Sequence, residues 1–267
     1  MNFKKINLKK QSVSKDIIED ALQLCYNNIS FSTFPYIVFG LTTSEDTIKK
    51  YSSGNCIGLS LFLKKYLKNI GIKSYLIPAS VPSIHMVPGV NHICHVSLLI
   101  PYDNDKFYII DPAFYFLEPL DCQINNNIKR VINSSNVHKD IIIPIHYKLE
   151  GPDKYNEQDI QCTCYFENDP NDVWHYYVQE VSLKYADSII GNTFMTKKPE
   201  PFIVNTTFDI NSGTVKKEYH IKKLSDDSCV IIKGTEEIYS GPISNVPKAI
   251  VKEIYIKLYK YFKKNIF

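Results

Sequence analysis

Residues 54–77 read GNCIGLSLFLKKYLKNIGIKSYLI, and a change of period inside this stretch sets the fold class. From about Asn55 to Asn69 the apolar residues Leu59, Leu61, Phe62, Leu63, Tyr66 and Leu67 cover much of a helix's circumference, and Gly71 stops the helix as glycine commonly does. A helix so apolar over its early turns is buried inside a domain rather than laid on its surface. From Lys73 onward the period becomes two: SYLIP, then ICHVSLLIP, then KFYIID, with Asp103, Asn104 and Asp105 turning the chain between the last two. Alternation bounded by turn residues predicts strands of one antiparallel sheet.

Before this stretch, Ile17, Ile18, Ala21, Leu22, Leu24 and Cys25 recur at helical spacing. Ser14 serves as a cap and Asp16 lies in the first turn, which predicts a surface helix over Ser14 to Asn28. After it, Cys122 to Val137 is polar, with Asn125, Asn126 and Asn127 in a row, and reads as a loop. The runs IIIPIHYKL, CTCYF, FIVNTTFDI, KEYHIKKL and SCVIIKG predict further strands. A closing helix is predicted from Val246 to Phe267, where Ile250, Val251, Ile254, Tyr255, Leu258 and Phe262 share one face. Helices followed by sheet make this an α+β chain. We expect an N-terminal helical lobe over residues 1–72, a central antiparallel β-sheet or barrel over 73–180, and a C-terminal α/β lobe over 181–267.

Composition narrows the function classes. The chain has 267 residues, 44% hydrophobic and 22% charged, which excludes a disordered or fibrous class. Its net charge of +3, from 31 basic and 28 acidic residues, is too small to imply a nucleic-acid surface. The lysines at either end (Lys4, Lys5, Lys9, Lys10; Lys257, Lys260, Lys263, Lys264) are interleaved with apolar residues, as on a solvated helix face. No window reaches the ~18 to 20 uncharged apolar residues of a membrane span, and MNFKKINLKK lacks the apolar core of a signal segment. A cytoplasmic protein with no membrane partner is expected. Seven cysteines, without zinc-type pair spacing, fit reduced thiols and point to no metal.

Thiol chemistry needs a thiolate, and the positive end of a helix beside a histidine favours one. Cys56 follows the capping and turn run Ser52, Ser53, Gly54, Asn55 and opens the most apolar helix in the chain. Unpaired N–H groups of that first turn are suited to an oxyanion. His95 lies in a predicted strand between Cys94 and Val96, where a strand fixes its ring better than a loop would. Asp111 ends the next predicted strand just before Pro112, and antiparallel pairing brings it back toward His95. Each residue also has a plainer reading: a small buried cysteine, a satisfied core histidine, a strand-ending turn. The order helix-start Cys, strand His, strand-end Asp favours catalysis over that coincidence. His92 and His85 are rival bases, less firmly held.

With these residues in place, the sequence resembles the arylamine N-acetyltransferases, whose Cys-His-Asp site belongs to the wider transglutaminase and papain-like group. GNCIGLSLFLKKYLKNIGIKSYLI resembles the nucleophile helix and following strand of that family, and HVSLLIPYDNDKFYIIDPAF (residues 95–114) its histidine strand, turn and Asp-bearing strand end. More weakly, residues 174–210 are similar to the family's linker into a third lobe. The resemblance implies a papain-like α+β fold and transfer of an acetyl group from acetyl-CoA to an aromatic or related small-molecule amine. It assigns Cys56 as nucleophile, His95 as proton shuttle and Asp111 as its orienting partner, and it implies that Thr196, Lys197 and Lys198 meet coenzyme A phosphates. The chain departs from the family around the cysteine. Ser52 stands where the family carries an arginine, so a supporting ion pair is lost; Gly58 replaces an acidic or amide residue; Ile37 and Val38 replace a polar pair after Pro35 and Tyr36. A transglutaminase-like or papain-like cysteine hydrolase acting on an amide is the alternative activity. A binding module retaining the three residues as relics is the non-enzymatic one.

Overall fold

The structure is a computed structural model that describes residues 3–33, 36, 43–86, 89, 92–137, 139–151, 160–191, 203–225 and 227–255. In chain order the first third holds β1 (Lys4–Lys5), α1 (Lys15–Asn28), β2 (Ser30–Ser32), α2 (Ser44–Tyr51), β3 (Ser53–Gly54) and α3 (Cys56–Asn69). Eight strands follow: β4 (Tyr75–Ala79), β5 (His95–Pro101), β6 (Lys106–Ile110), β7 (Leu120–Gln123), β8 (Arg130–Asn136), β9 (Ile141–Glu150), β10 (Gln161–Phe166) and β11 (Asp169–Tyr177). The chain continues through β12 (Gln179–Glu180), a helical turn Leu183–Tyr185, a π-type turn Ala186–Gly191, then β13 (Ile203–Asp209), β14 (Thr214–Lys223), β15 (Ser228–Lys233), β16 (Glu236–Pro242) and α4 (Lys248–Tyr255). Among the described residues, no helix is long and apolar enough to cross a membrane.

The α+β expectation holds. An eight-stranded sheet runs in the order β7-β6-β5-β4-β11-β10-β9-β8, with every neighbouring pair antiparallel. Its ends approach each other: Phe116 bridges Ser134, and the Leu117 N–H reaches the Asn133 carbonyl at 2.9 Å, so the sheet nearly closes into a barrel. Period-two alternation then fills the interior. Ile77, Leu99, Phe107, Ile109, Cys162, Cys164, Trp174 and Tyr176 are all buried there. On the outer face of β5, Val96, Leu98 and Ile100 pack with Leu59, Phe62 and Leu63 of α3. The Ser60 hydroxyl adds a 3.3 Å bond to the Val96 carbonyl. Phe62 is fully buried, and truncating such a side chain costs about 3–5 kcal/mol. Helix α3 is thereby fixed against the strand that begins with His95.

Several elements differ from expectation. The stretch read as a loop from Cys122 to Val137 contains all of β8, whose residues pair one for one with β9 from Arg130↔Tyr147 to Asn136↔Ile141. Its sequence RVINSSN has weak strand propensity, but pairing with β9 overrides propensity, and the buried Ser134 and Ser135 hydroxyls find the carbonyls of Phe114 and Val215 at 2.6 and 3.3 Å. Strand β5 begins at His95, so His92 precedes it. Helix α2 and strands β11 and β16 are additional elements. A six-stranded sheet, β16-β15-β14-β13-β2-β3, joins two short strands of the first third to the C-terminal sheet, with β2 and β3 parallel. The closing helix is described to Tyr255; its expected continuation to Phe267 lies outside the described residues.

Candidate active site

Cys56 is placed by a cap. Helix α2 ends at Ser52, which takes a left-handed conformation with φ 50° and returns its N–H to the Ile48 carbonyl at 2.9 Å. The two residues of β3 follow, and then Asn55 caps α3, its Oδ1 accepting from the N–H groups of Ile57 and Gly58 at 3.0 and 3.3 Å. Gly54 permits the close approach: a Cβ there would lie 2.9 Å from Gly58 Cα. The cap alters one expectation. Two first-turn N–H groups are taken by Asn55, so the Cys56 N–H is the first-turn donor without a partner among the described residues.

His95 opens β5 at the barrel rim, only 5% exposed. Its Nε2 lies 2.5 Å from Asp111 Oδ2, which leaves its other nitrogen, Nδ1, for Cys56, a residue near enough to act on the charge of the ring. Burial is the largest single influence and lowers the imidazole pKa, but Asp111 and Cys56 together outweigh it, and the net result lies well above the usual histidine value. Phe114 presses edge-on against the ring at 5.1 Å between centroids, which limits its rotation.

Asp111 is completely buried, and all four described partners of its carboxylate are donors. Oδ1 accepts from the N–H groups of Ala113 and Phe114 at 3.0 and 3.2 Å, the turn that an Asp before Pro112 sets up. Oδ2 accepts from His95 and from the Tyr176 hydroxyl at 2.7 Å. The β5–β6 register runs from Leu98↔Ile110 to Pro101↔Phe107. Carried one step past Ile110, it sets Asp111 beside Ser97, two residues from His95, so the two side chains meet on a diagonal of the same face.

The structure therefore brings Cys56, His95 and Asp111 together. Neither rival base joins them. His85 is exposed on a short turn, 6.0 Å from the Phe114 ring, and His92 is exposed beside Tyr177. Thr196, Lys197 and Lys198 lie outside the described residues. Two contributors escape sequence reasoning. Tyr176 sits in an ordinary strand alternation and reaches Asp111 from 65 residues away, and Tyr36 reaches the Asn55 cap at 3.4 Å. All seven cysteines are thiols outside any disulfide, and all are buried. Burial pushes the thiols of Cys25, Cys122, Cys162, Cys164 and Cys229 upward, which keeps them protonated and inert, whereas Cys56 faces an imidazole.

A capped helix, a nearly closed antiparallel barrel and a six-stranded sheet lie around one Cys-His-Asp cluster. The chain has the fold of the arylamine N-acetyltransferases. An arylamine N-acetyltransferase from Bacillus cereus, described as having a Cys-His-Glu catalytic triad, superposes with a TM-score of 0.57 at 16% identity, covering 91% of each chain. Arylamine N-acetyltransferase C from Bacillus anthracis gives 0.56 at 14% identity over 92% of each chain. The M. tuberculosis enzyme gives 0.53 at 11% identity over 97% of this chain and 93% of its own. No protein-family model and no curated protein sequence matches the chain.

Proposed function

We propose that the protein is an acyltransferase that moves an acetyl group from acetyl-CoA to an aromatic or related small-molecule amine through an acyl-cysteine. The observation that carries this reading is the contact series itself: Cys56 at a capped helix start, His95 against it, and Asp111 2.5 Å behind the imidazole. The fold supports the choice of acetyl transfer over amide hydrolysis.

The raised imidazole pKa favours an imidazolium beside Cys56, and a cysteine nucleophile attacks as the thiolate. The Cys56 sulfur attacks the thioester carbonyl, the S-acetyl bond forms as the carbon–sulfur bond to coenzyme A breaks, and His95 gives its proton to the departing thiolate. The Cys56 N–H is the donor available to the transient oxyanion. In the second half, the amine nitrogen attacks the acetyl-cysteine carbonyl, His95 takes the amine proton, and the thiolate leaves. Asp111 holds the ring orientation throughout and balances its charge. We assign Thr196, Lys197 and Lys198 to the coenzyme A phosphates, and the reduced thiols to a cytoplasmic setting.

Steady-state kinetics with acetyl-CoA and a panel of aniline-type amines test this. Parallel double-reciprocal lines with N-acetylated product are expected, because acyl transfer through the enzyme is ping-pong. Release of coenzyme A to water alone, or cleavage of a glutamine amide in its place, would overturn the assignment.

A further inference from the structure

Behind the start of α3 lie a group of buried hydroxyls and one half-buried carboxyl that the reaction above does not use. Tyr36 is 8% exposed, and its hydroxyl lies 3.4 Å from Asn55 Oδ1, 3.2 Å from Ser44 Oγ and 3.1 Å from Thr47 Oγ1. Ser44 opens α2 and directs both its N–H and its hydroxyl at Asp187 Oδ1, at 3.2 and 2.6 Å. Asp187 projects from the π-type turn Ala186–Gly191, which packs against α3 and β5. Such turns are frequent at functional sites. Burial raises the Asp187 pKa, and the two Ser44 bonds act the other way.

Proton counting gives the series a direction. The Ser44 hydroxyl is committed to the carboxylate, and the Thr47 hydroxyl has the Ser44 carbonyl at 2.9 Å as well as Tyr36. The single Tyr36 proton then has two acceptors, Ser44 Oγ and Asn55 Oδ1. Asn55 Oδ1 is the atom that holds the Ile57 and Gly58 N–H groups. Gly58 borders the phenol: a Cβ there would make an ordinary contact, 3.8 Å, with the Tyr36 hydroxyl and with Ile48. Hydroxyl contacts thus run without a break from a carboxylate in the linker to the atom that fixes the nucleophile's helical turn.

We propose that Asp187, Ser44 and Tyr36 are positioning residues that lock the Asn55 cap and so aim Cys56 at His95. The assignment rests on Cys56 and His95 being the working pair, but not on the identity of the acyl donor. Its parts act in series, so cutting any link frees the Asn55 amide to turn away and lets the thiol drift from the imidazole.

The test uses the full chain and needs no acetyl-CoA: the rate of Cys56 alkylation by iodoacetamide across pH, read on the Cys56 peptide by mass spectrometry. Tyr36→Phe keeps the ring and removes the hydroxyl, and should slow alkylation about fivefold, the effect of one hydrogen bond. Ser44→Ala should do the same, and the double variant should be no slower than either single, since both break one series. Asp187→Asn, which still offers an amide oxygen to Ser44, should stay within about twofold of wild type, while Asp187→Ala should fall with the others. Wild-type rate and pH midpoint in Tyr36→Phe, independent losses in the double variant, or a lower Tm with an unchanged Cys56 rate would each overturn the proposal. If Tyr36→Phe fails to fold, Ser44→Ala and the two Asp187 variants carry the same test. Cap-sensitive alkylation without acetyl transfer would refute the acyltransferase reading and leave this one standing.

Discussion

Asp111 is held from four directions, and one of the four, Tyr176, can be removed with little change of shape. Tyr176→Phe deletes the donor 2.7 Å from Oδ2 while keeping the buried ring. A hydrogen bond to a charged group contributes about 1.5–3 kcal/mol, so acetyl transfer should slow about tenfold or more, with the rate of amine acetylation as the measure. His95 makes a second residue-scale prediction. Its folded-state pKa is raised, so its proton is bound more tightly in the native state than in the unfolded chain. That contribution to stability is complete below the unfolded value of about 6.5 and declines as pH rises through the folded value. The Tm advantage of the wild type over His95→Gln should therefore shrink as the pH rises above about 6.5; an advantage that grows with rising pH would contradict the assigned ion pair. Cys56, His95 and Asp111 were legible in the sequence because each sits at a locally signalled point: a helix start, a strand, a strand end before proline. Tyr176, Tyr36 and Asp187 were not, because their roles come from contacts between segments far apart in the chain.

Among the elements, the start of α3 is the most constrained, and its two glycines should respond in opposite ways. Gly54→Ala places a Cβ 2.9 Å from the Gly58 backbone, a clash that must displace β3 or the helix. It should destabilise by about 1–3 kcal/mol. Gly58→Ala meets only ordinary contacts at 3.8 Å and gains helix propensity of up to about 1 kcal/mol, so urea midpoints should move down for the first and hold or rise for the second. Helix α3 and the β4–β6 strands could be read from period alone, since burial on one or both faces leaves an apolar signature. Strand β8 could not: RVINSSN carries one buried aliphatic side chain, Ile132, and becomes a strand because β9 supplies its partners. Helix α2, SEDTIKKY, is short and polar, and its formation depends on the Thr43 cap and on packing Thr47 and Ile48 inward.

At the scale of the molecule, two cores meet at the site. The barrel interior supplies Tyr176 beneath Asp111, and the core shared by α1, α3 and the outer face of β5 supports Cys56 from the other side. Strands β2 and β3 tie the entry of α3 into the C-terminal sheet, so the position of Cys56 depends on segments from both ends of the chain. The α+β order and the sheet were apparent from the sequence, whereas closure of the barrel and the sharing of one sheet between first and last segments were not, because each joins strands remote in the chain. In the proposed reaction Cys56 takes an acetyl group from a thioester. Mixing the protein with radiolabelled acetyl-CoA and no acceptor, then mapping label on the denatured, digested chain, tests it most directly. Label is expected on the Cys56 peptide, released on adding an aromatic amine and missing from Cys56→Ser. Label that stays in Cys56→Ser, or none on the wild type, would contradict it.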